Sequence, residues 1–221
     1  MGNNVLVVGA TGLVGSHLVE LLIKDERFDL IHVFVRNKTE YSHSKIIEHI
    51  VDFNNLEYYI QNINVSIIYC CIGTTIKIAG SQKNFEKVDF DIPISLALIA
   101  KANNINTFIV ISSVGANANS SNFYLRTKGK MEKELINIGI TNTKIFRPSM
   151  LLGKRKENRI LEKIGSSIFA TLAPLLLGNI SKYRPIHAKI LTKSMINITA
   201  QTDITESFFE WKEIIRISKI S

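Results

Sequence analysis

The stretch Val5-Leu6-Val7-Val8-Gly9-Ala10-Thr11-Gly12-Leu13-Val14-Gly15-Ser16-His17-Leu18 decides how this chain of 221 residues is read. Its first four residues are apolar and three of them are β-branched, which suits a short strand buried on both faces. Glycines at the spacing G-x-x-G-x-x-G follow at once, and Leu13, His17, Leu18, Leu21 and Leu22 then share one stripe of a helix. Gly9 and Gly12 permit a tight turn and close backbone approach to a pyrophosphate, and Gly15 lets the helix lie against the strand. A helix N-terminus adds free N–H donors and positive dipole character. A dinucleotide pyrophosphate is therefore expected against Gly9, Thr11, Gly12, Leu13, Val14 and Gly15. A glycine triplet alone would equally make a plain tight turn; the strand before it and the helix after it supply the context the ligand reading needs.

Working outward, the alternation repeats. Ile31–Val35, Val65–Cys71 and Thr107–Ile111 are strand-like, with weaker candidates at Ile46–Val51 and Thr143–Phe146. Ile94, Leu98 and Ala102 form one helical stripe between them, and Met131, Leu135 and Ile138 form another. This order predicts an α/β fold: a Rossmann-like, doubly wound parallel sheet with helices on both faces. The alternation stops near Pro148. Residues 149–186, with a helix candidate at Ile160–Leu172, are expected to form a small C-terminal cap on the substrate side of one domain spanning 1–221. A further helical pattern runs from His187 to Ala200.

Composition narrows the class. With 46% hydrophobic and 21% charged residues, the chain can fill a core, which excludes disorder as its main state. Lys plus Arg number 27 against 19 Asp plus Glu, a formal charge of +8. These cations are spread out except for Lys154, Arg155, Lys156 and Arg159, and no recognition motif goes with them, so no nucleic-acid partner is expected. The cluster reads either as an attractor for an anionic substrate or as a solvated loop. Cys70 and Cys71 are adjacent, which argues against a disulfide framework and against a metal site. The N-terminus shows no basic leader, and the longest apolar run, Ile168–Gly178, contains Pro174 and is too short to span a bilayer. The expectation is a cytoplasmic protein without a membrane partner, either a monomer or a homodimer.

Four further places could carry chemistry. Arg36, closing the second strand with Lys38 nearby, presents a planar fork suited to a 2′-phosphate, and no acid stands at that strand tip; this favours NADP over NAD. Asp52 is spaced for an adenine contact, or else caps the turn that follows it. Gly73 and Thr74, small residues past a strand end, would let backbone run along a cofactor. Ser112-Ser113 closes the fifth strand, and eleven residues after Ser113 come Tyr124 and Lys128, four apart on one helix face. An ammonium beside a tyrosine lowers the phenol pKa, and a serine hydroxyl can orient a substrate oxygen, which together suit proton transfer coupled to hydride transfer.

Taken together, the chain from Gly9 to about Gly153 resembles the short-chain dehydrogenase/reductase superfamily. Within it, the likeness is to the atypical branch of Tat-interactive-protein-like oxidoreductases, also labelled nucleoside-diphosphate-sugar epimerase-like. The stretches that carry it are Cys70–Thr75, Ser112–Ala116, Ser120–Gly129 and Phe146–Leu152. The resemblance implies Tyr124 as catalytic acid/base, Lys128 as ribose ligand and tuner of Tyr124, Ser113 as the assisting hydroxyl, and Pro148 beside the nicotinamide. It further implies an NADP-dependent oxidoreductase or epimerase-like enzyme for a small carbonyl or hydroxyl substrate. Asp89 departs from the pattern, standing where many members have a tetrad Asn, and a carboxylate there would break or re-route a proton relay. The alternative is an NADP(H)-binding sensor or scaffold with little turnover.

Overall fold

The computed structural model describes residues 3–61, 63–153 and 178–220. Six strands form where short, β-branched runs were expected: β1 (Asn3–Val8), β2 (Phe28–Val35), β3 (Ile46–Ile50), β4 (Ile67–Cys70), β5 (Thr107–Ile111) and β6 (Asn142–Phe146). Short pieces follow at β7 (Leu151–Leu152), β8 (Ile186–His187) and β9 (Phe208–Phe209). The main sheet has seven strands in the order β3-β2-β1-β4-β5-β6-β9, and every neighbouring pair is parallel. β7 and β8 pair separately. The chain leaves β1 on one side for β2 and β3, then returns to its other side for β4. Ligands of such sheets bind outside the carboxyl ends at this reversal.

Alternation along each strand splits the core in two. Val5, Val7, Ile31, Val33 and Tyr69 pack with Leu18 and Leu22 of α1 (Leu13–Lys24), and with residues of α7 (Ala188–Asn197) and α8 (Trp211–Ser218). Leu6, Val8, Phe34, Ile68 and Val110 pack on the other face against α2 (Leu56–Ile60), α5 (Ile92–Ala102) and α6 (Phe123–Ile138). Each fully buried aliphatic side chain contributes about 1.5–3 kcal/mol. Between β4 and α5 lie α3 (Ile76–Ala79), α4 (Gln82–Glu86) and a π-helical turn, Lys87–Asp91.

One expectation is corrected. The α5 helix forms, but its buried face is Ile92, Leu96, Ala97 and Ala100, while Leu98 of the expected stripe is 54% exposed. The segment is apolar almost all round, so periodicity could not choose a face, and the small alanines sit where the helix meets the sheet. The pattern from His187 to Ala200 becomes α7 and a 3-10 turn, and α7 joins the core beside α1. Of the expected cap, β7, a 3-10 segment at Gly178–Tyr183 and β8 are described; the Ile160–Leu172 candidate and the Lys154–Arg159 cluster lie outside the described residues. Among the described residues no helix is long and apolar enough to cross a membrane.

Candidate functional site

The glycine loop is shaped by contacts that exclude side chains. Gly9 has φ +86°, and a Cβ there would lie 2.7 Å from the Cys71 carbonyl carbon and oxygen. A Cβ on Gly15 would lie 2.1 Å from the Gly9 oxygen. The start of α1 is thus pressed onto the end of β1, and β1 onto the end of β4. Gly12 differs: its Cβ would meet only the Gly9 oxygen, at 3.3 Å, and both Gly12 and Thr11 are exposed. No side chain caps α1 and no acid occupies its first turn. The amides of Leu13, Val14 and Gly15 lack partners within the helix by geometry. An uncapped, acid-free helix start beside an open glycine fits a dinucleotide pyrophosphate. Beneath it, the Tyr41 hydroxyl donates to the Ala10 oxygen at 2.7 Å, and burial, with the Glu20 charge, pushes that phenol up to about 12.

Along the rim, Arg36 and Lys38 are exposed at the end of β2 and form no ion pair among the described residues. Asp52 is exposed past β3, and its carboxylate accepts from the Asn54 amide (2.9 Å) and the Asn54 side chain (2.7 Å), closing a turn ahead of α2. Cys70 is in the core, where burial pushes its thiol up to about 12, and burial raises Cys71 as well. Gly73 is exposed, whereas the Thr74 amide is engaged, as described below. No group of three or more His, Cys, Asp or Glu among the described residues could hold a metal ion.

At the end of β5, the Ser112 amide donates to Phe146 and the Val114 amide to Pro148, holding Pro148 against the serine loop. Ser113 is half-buried, and its hydroxyl makes one long contact, 3.4 Å, to the Val114 oxygen. The Ser112 hydroxyl is buried with no partner among the described residues. Asn122 caps α6 by accepting from the Leu125 amide. Tyr124 follows, half-buried, its ring 5.7 Å from that of Phe85. Lys128, one turn on, is 4% exposed. Its ammonium lies 2.8 Å from Asp89 Oδ1 and donates to the Ile111 oxygen at 3.2 Å. Asp89 Oδ2 accepts from the Thr74 amide at 2.8 Å. Burial alone would push Lys128 down; the Asp89 carboxylate, helped by Tyr124, reverses this, and the net shift is upward.

A second ion pair lies one turn further along the same face. Glu132, 3% exposed, accepts from Arg147 Nε at 2.8 Å and Nη2 at 2.5 Å, and the Arg147 guanidinium stacks 4.3 Å from the Phe208 ring centre. Tyr124, Lys128 and Glu132 therefore follow one another at every fourth residue. Gly129 brings this helix close to the serine loop, since a Cβ there would lie 2.2 Å from Asn117 and Ala118 backbone. Sequence reasoning missed Tyr41, Gly129 and the Glu132–Arg147 pair, and it treated Asp89 only as a departure. The Tyr-Lys-Glu spacing and the glycine beside Lys128 were the available signals.

Comparisons with known proteins bear on this geometry. Residues 9–171 match the family model described as NAD(P)H-binding. "Protein FMP52, mitochondrial" of Debaryomyces hansenii is 30% identical over 201 residues, covering 88% of this chain and 87% of the relative. "Protein HTATIP2" of Rattus norvegicus is 31% identical over 175 residues, covering 76% and 71%. Among solved structures, MoeE5 in complex with UDP-glucose and NAD superposes with a TM-score of 0.68 at 14% identity, covering 98% of this chain and 81% of that one, which shows a shared fold. The mitochondrial name, carried by several relatives, points away from the cytoplasmic location expected above. Such an address is read by the import machinery and leaves no mark in the chemistry of a folded crevice.

Proposed function

The chain belongs to the NAD(P)H-binding family, as an atypical short-chain dehydrogenase/reductase of the epimerase-like kind, and from that premise we propose an NADP-dependent oxidoreductase or epimerase-like enzyme for a small carbonyl or hydroxyl compound. One observation carries the reading: Tyr124 and a buried, charged Lys128 occupy successive turns of α6. We assign the pyrophosphate to Gly9, Thr11, Gly12, Leu13, Val14 and Gly15, the 2′-phosphate to Arg36, and the adenine edge to Asp52. Gly73, Thr74 and Pro148 would border the ribose and nicotinamide. When bound, the nicotinamide supplies or accepts a hydride. In this assignment Tyr124 gives or takes the proton at its hydroxyl, Lys128 binds ribose, and the Ser113 hydroxyl orients the substrate oxygen. The mitochondrial name of several relatives makes that organelle the compartment in which to seek the substrate.

A specific observation favours a second reading, an NADP(H)-binding sensor or scaffold. The Asp89 carboxylate compensates the Lys128 charge, which weakens the pull of that ammonium on the Tyr124 oxygen. Tyr124→Phe separates the two. It keeps the ring against Phe85 and removes only the hydroxyl, so NADPH affinity should be nearly unchanged while turnover falls about 10²–10⁴-fold. Tight NADPH binding with no oxidation across a broad carbonyl and sugar-nucleotide panel would overturn the enzyme reading in favour of the sensor. Calorimetric titration with NADP and NAD tests the cofactor choice; equal affinities would remove the role given to Arg36.

A further inference from the structure

Lys128 and Asp89 form the most deeply buried ion pair among the described residues, with side chains 5% and 1% exposed. Asp89 reaches Lys128 from the π-helical turn Lys87–Asp91, whose extra residue per turn re-aims side chains between α4 and α5. Its two oxygens have different partners: one holds the ammonium, the other the backbone amide of Thr74. A single carboxylate therefore spans the loop after β4 and the helix that carries Tyr124. The ammonium's remaining polar contact among the described residues, to the Ile111 oxygen, is neutral. The titratable groups that face Lys128 are Asp89 from the π-helical turn, Tyr124 on its own helix, and Cys70 from β4, which burial keeps as a neutral thiol at ordinary pH. Glu132, one turn along, is already engaged by Arg147.

We propose that Asp89 is a positioning residue, which keeps Lys128 charged inside the fold and ties it to the Thr74 amide so that the loop after β4 and the catalytic face of α6 form one unit. The inference rests on the nicotinamide-dinucleotide reading above and deepens it by naming what readies the site for the ribose. It also reverses the expectation attached to the sequence departure. An Asn at position 89 would not repair a relay; it would leave a buried ammonium without its counterion. Removing one member of such a pair strips the other of its compensation, whereas removing both does not.

The experiment measures NADPH affinity by fluorescence titration, and thermal melting, from pH 6 to 9.5. The proteins compared are wild type, Asp89→Asn, Lys128→Met and the double variant. In wild type, affinity should be flat through about pH 9, because Lys128 stays protonated. In Asp89→Asn the Lys128 pKa drops below its unfolded value. Affinity should then fall about tenfold or more across the alkaline half of the range as the ammonium loses its proton. The unfolded chain then binds the extra proton, so the melting temperature of Asp89→Asn should rise with pH relative to wild type. The double variant should melt near wild type without that slope and bind NADPH as weakly as Lys128→Met. Should Asp89→Asn prove too unstable to titrate, recovery of melting in the double variant still decides the counterion role.

Flat affinity and melting profiles for Asp89→Asn, matching wild type, would overturn the inference and leave the dinucleotide reading standing. Failure of wild type to bind any nicotinamide dinucleotide would overturn that reading instead, and the melting profiles would still judge Asp89.

Discussion

Between Gly9 and Gly15 the crevice is walled by main chain, whereas around Lys128 the structure is held by charged side chains from three segments, the π-helical turn, α6 and the residue after β6. In the first region each requirement is that a side chain be absent: a Cβ on Gly9 would strike Cys71 and one on Gly15 would strike Gly9. In the second, each requirement is that a particular charge be present. Lys128 needs Asp89, and Glu132 needs Arg147. The partners there are 15 or more residues apart in sequence, as Thr74 is from Asp89 and Glu132 from Arg147. A site made of backbone tolerates any solvent condition that leaves the fold intact. A site made of paired buried charges responds to single substitutions and to pH.

The largest expected effect falls on the side-chain half. Arg147→Ala leaves Glu132 buried and uncompensated, and should cost about 3–5 kcal/mol in denaturant unfolding. Adding Glu132→Leu should recover most of that loss. If the double variant were as unstable as the single one, packing of Arg147 on Phe208, and not the charge pair, would be what matters.

A smaller effect is expected in the backbone half, and there two neighbouring glycines should behave differently. Gly15→Ala overpacks against backbone that cannot give way and should destabilise by about 1–3 kcal/mol or more. Gly12→Ala meets only one atom, at 3.3 Å, so it should melt close to wild type while weakening NADPH binding. Equal stability losses at both positions would mean that the two glycines serve the fold alike and that Gly12 is not reserved for a ligand.

The smallest effect tests whether the backbone half is indifferent to pH. Behind the Arg36 end of the sheet, His32 Nδ1 and His49 Nε2 lie 2.8 Å apart across β2 and β3. Burial, helped by the His49 charge, holds His32 down at about 4, and burial lowers His49 too. His32 is neutral in the folded protein at pH values where the unfolded chain, with an ordinary value of 6.5, takes up protons. Stability from His32 is therefore complete above about pH 6.5 and is lost as pH falls toward 4. Melting of His32→Leu should decline less steeply than wild type across that window. Parallel declines would place the acid sensitivity elsewhere.

Six strands, the glycine loop and the Tyr124–Lys128 face were legible from residue order, because each depends on neighbours within one strand or one helical turn. β-branched runs such as Ile31–Val35 can be satisfied as buried strands, and residues four apart share a helix face whatever the helix packs on. The buried side of α5 was not legible, since Ile92–Ala102 is apolar in nearly every direction and only the position of the sheet selects a face. β9 was not legible either: two residues carry no period, and Phe208 and Phe209 become a strand because the exposed edge of β6 offers them hydrogen bonds.

Residue order alone determined that this chain winds a parallel sheet around a glycine-rich turn, and it set the spacing of Ser113, Tyr124 and Lys128. Only the tertiary structure decided what surrounds that lysine. Asp89 reads as an anomaly in the sequence because its partners, the Thr74 amide and the Lys128 ammonium, meet it only once a π-helical turn has aimed it inward. Local geometry follows from local steric rules, which operate over a few residues. A buried charge is tolerable only where folding brings an opposite charge to within hydrogen-bond distance, and that depends on how the whole sheet assembles.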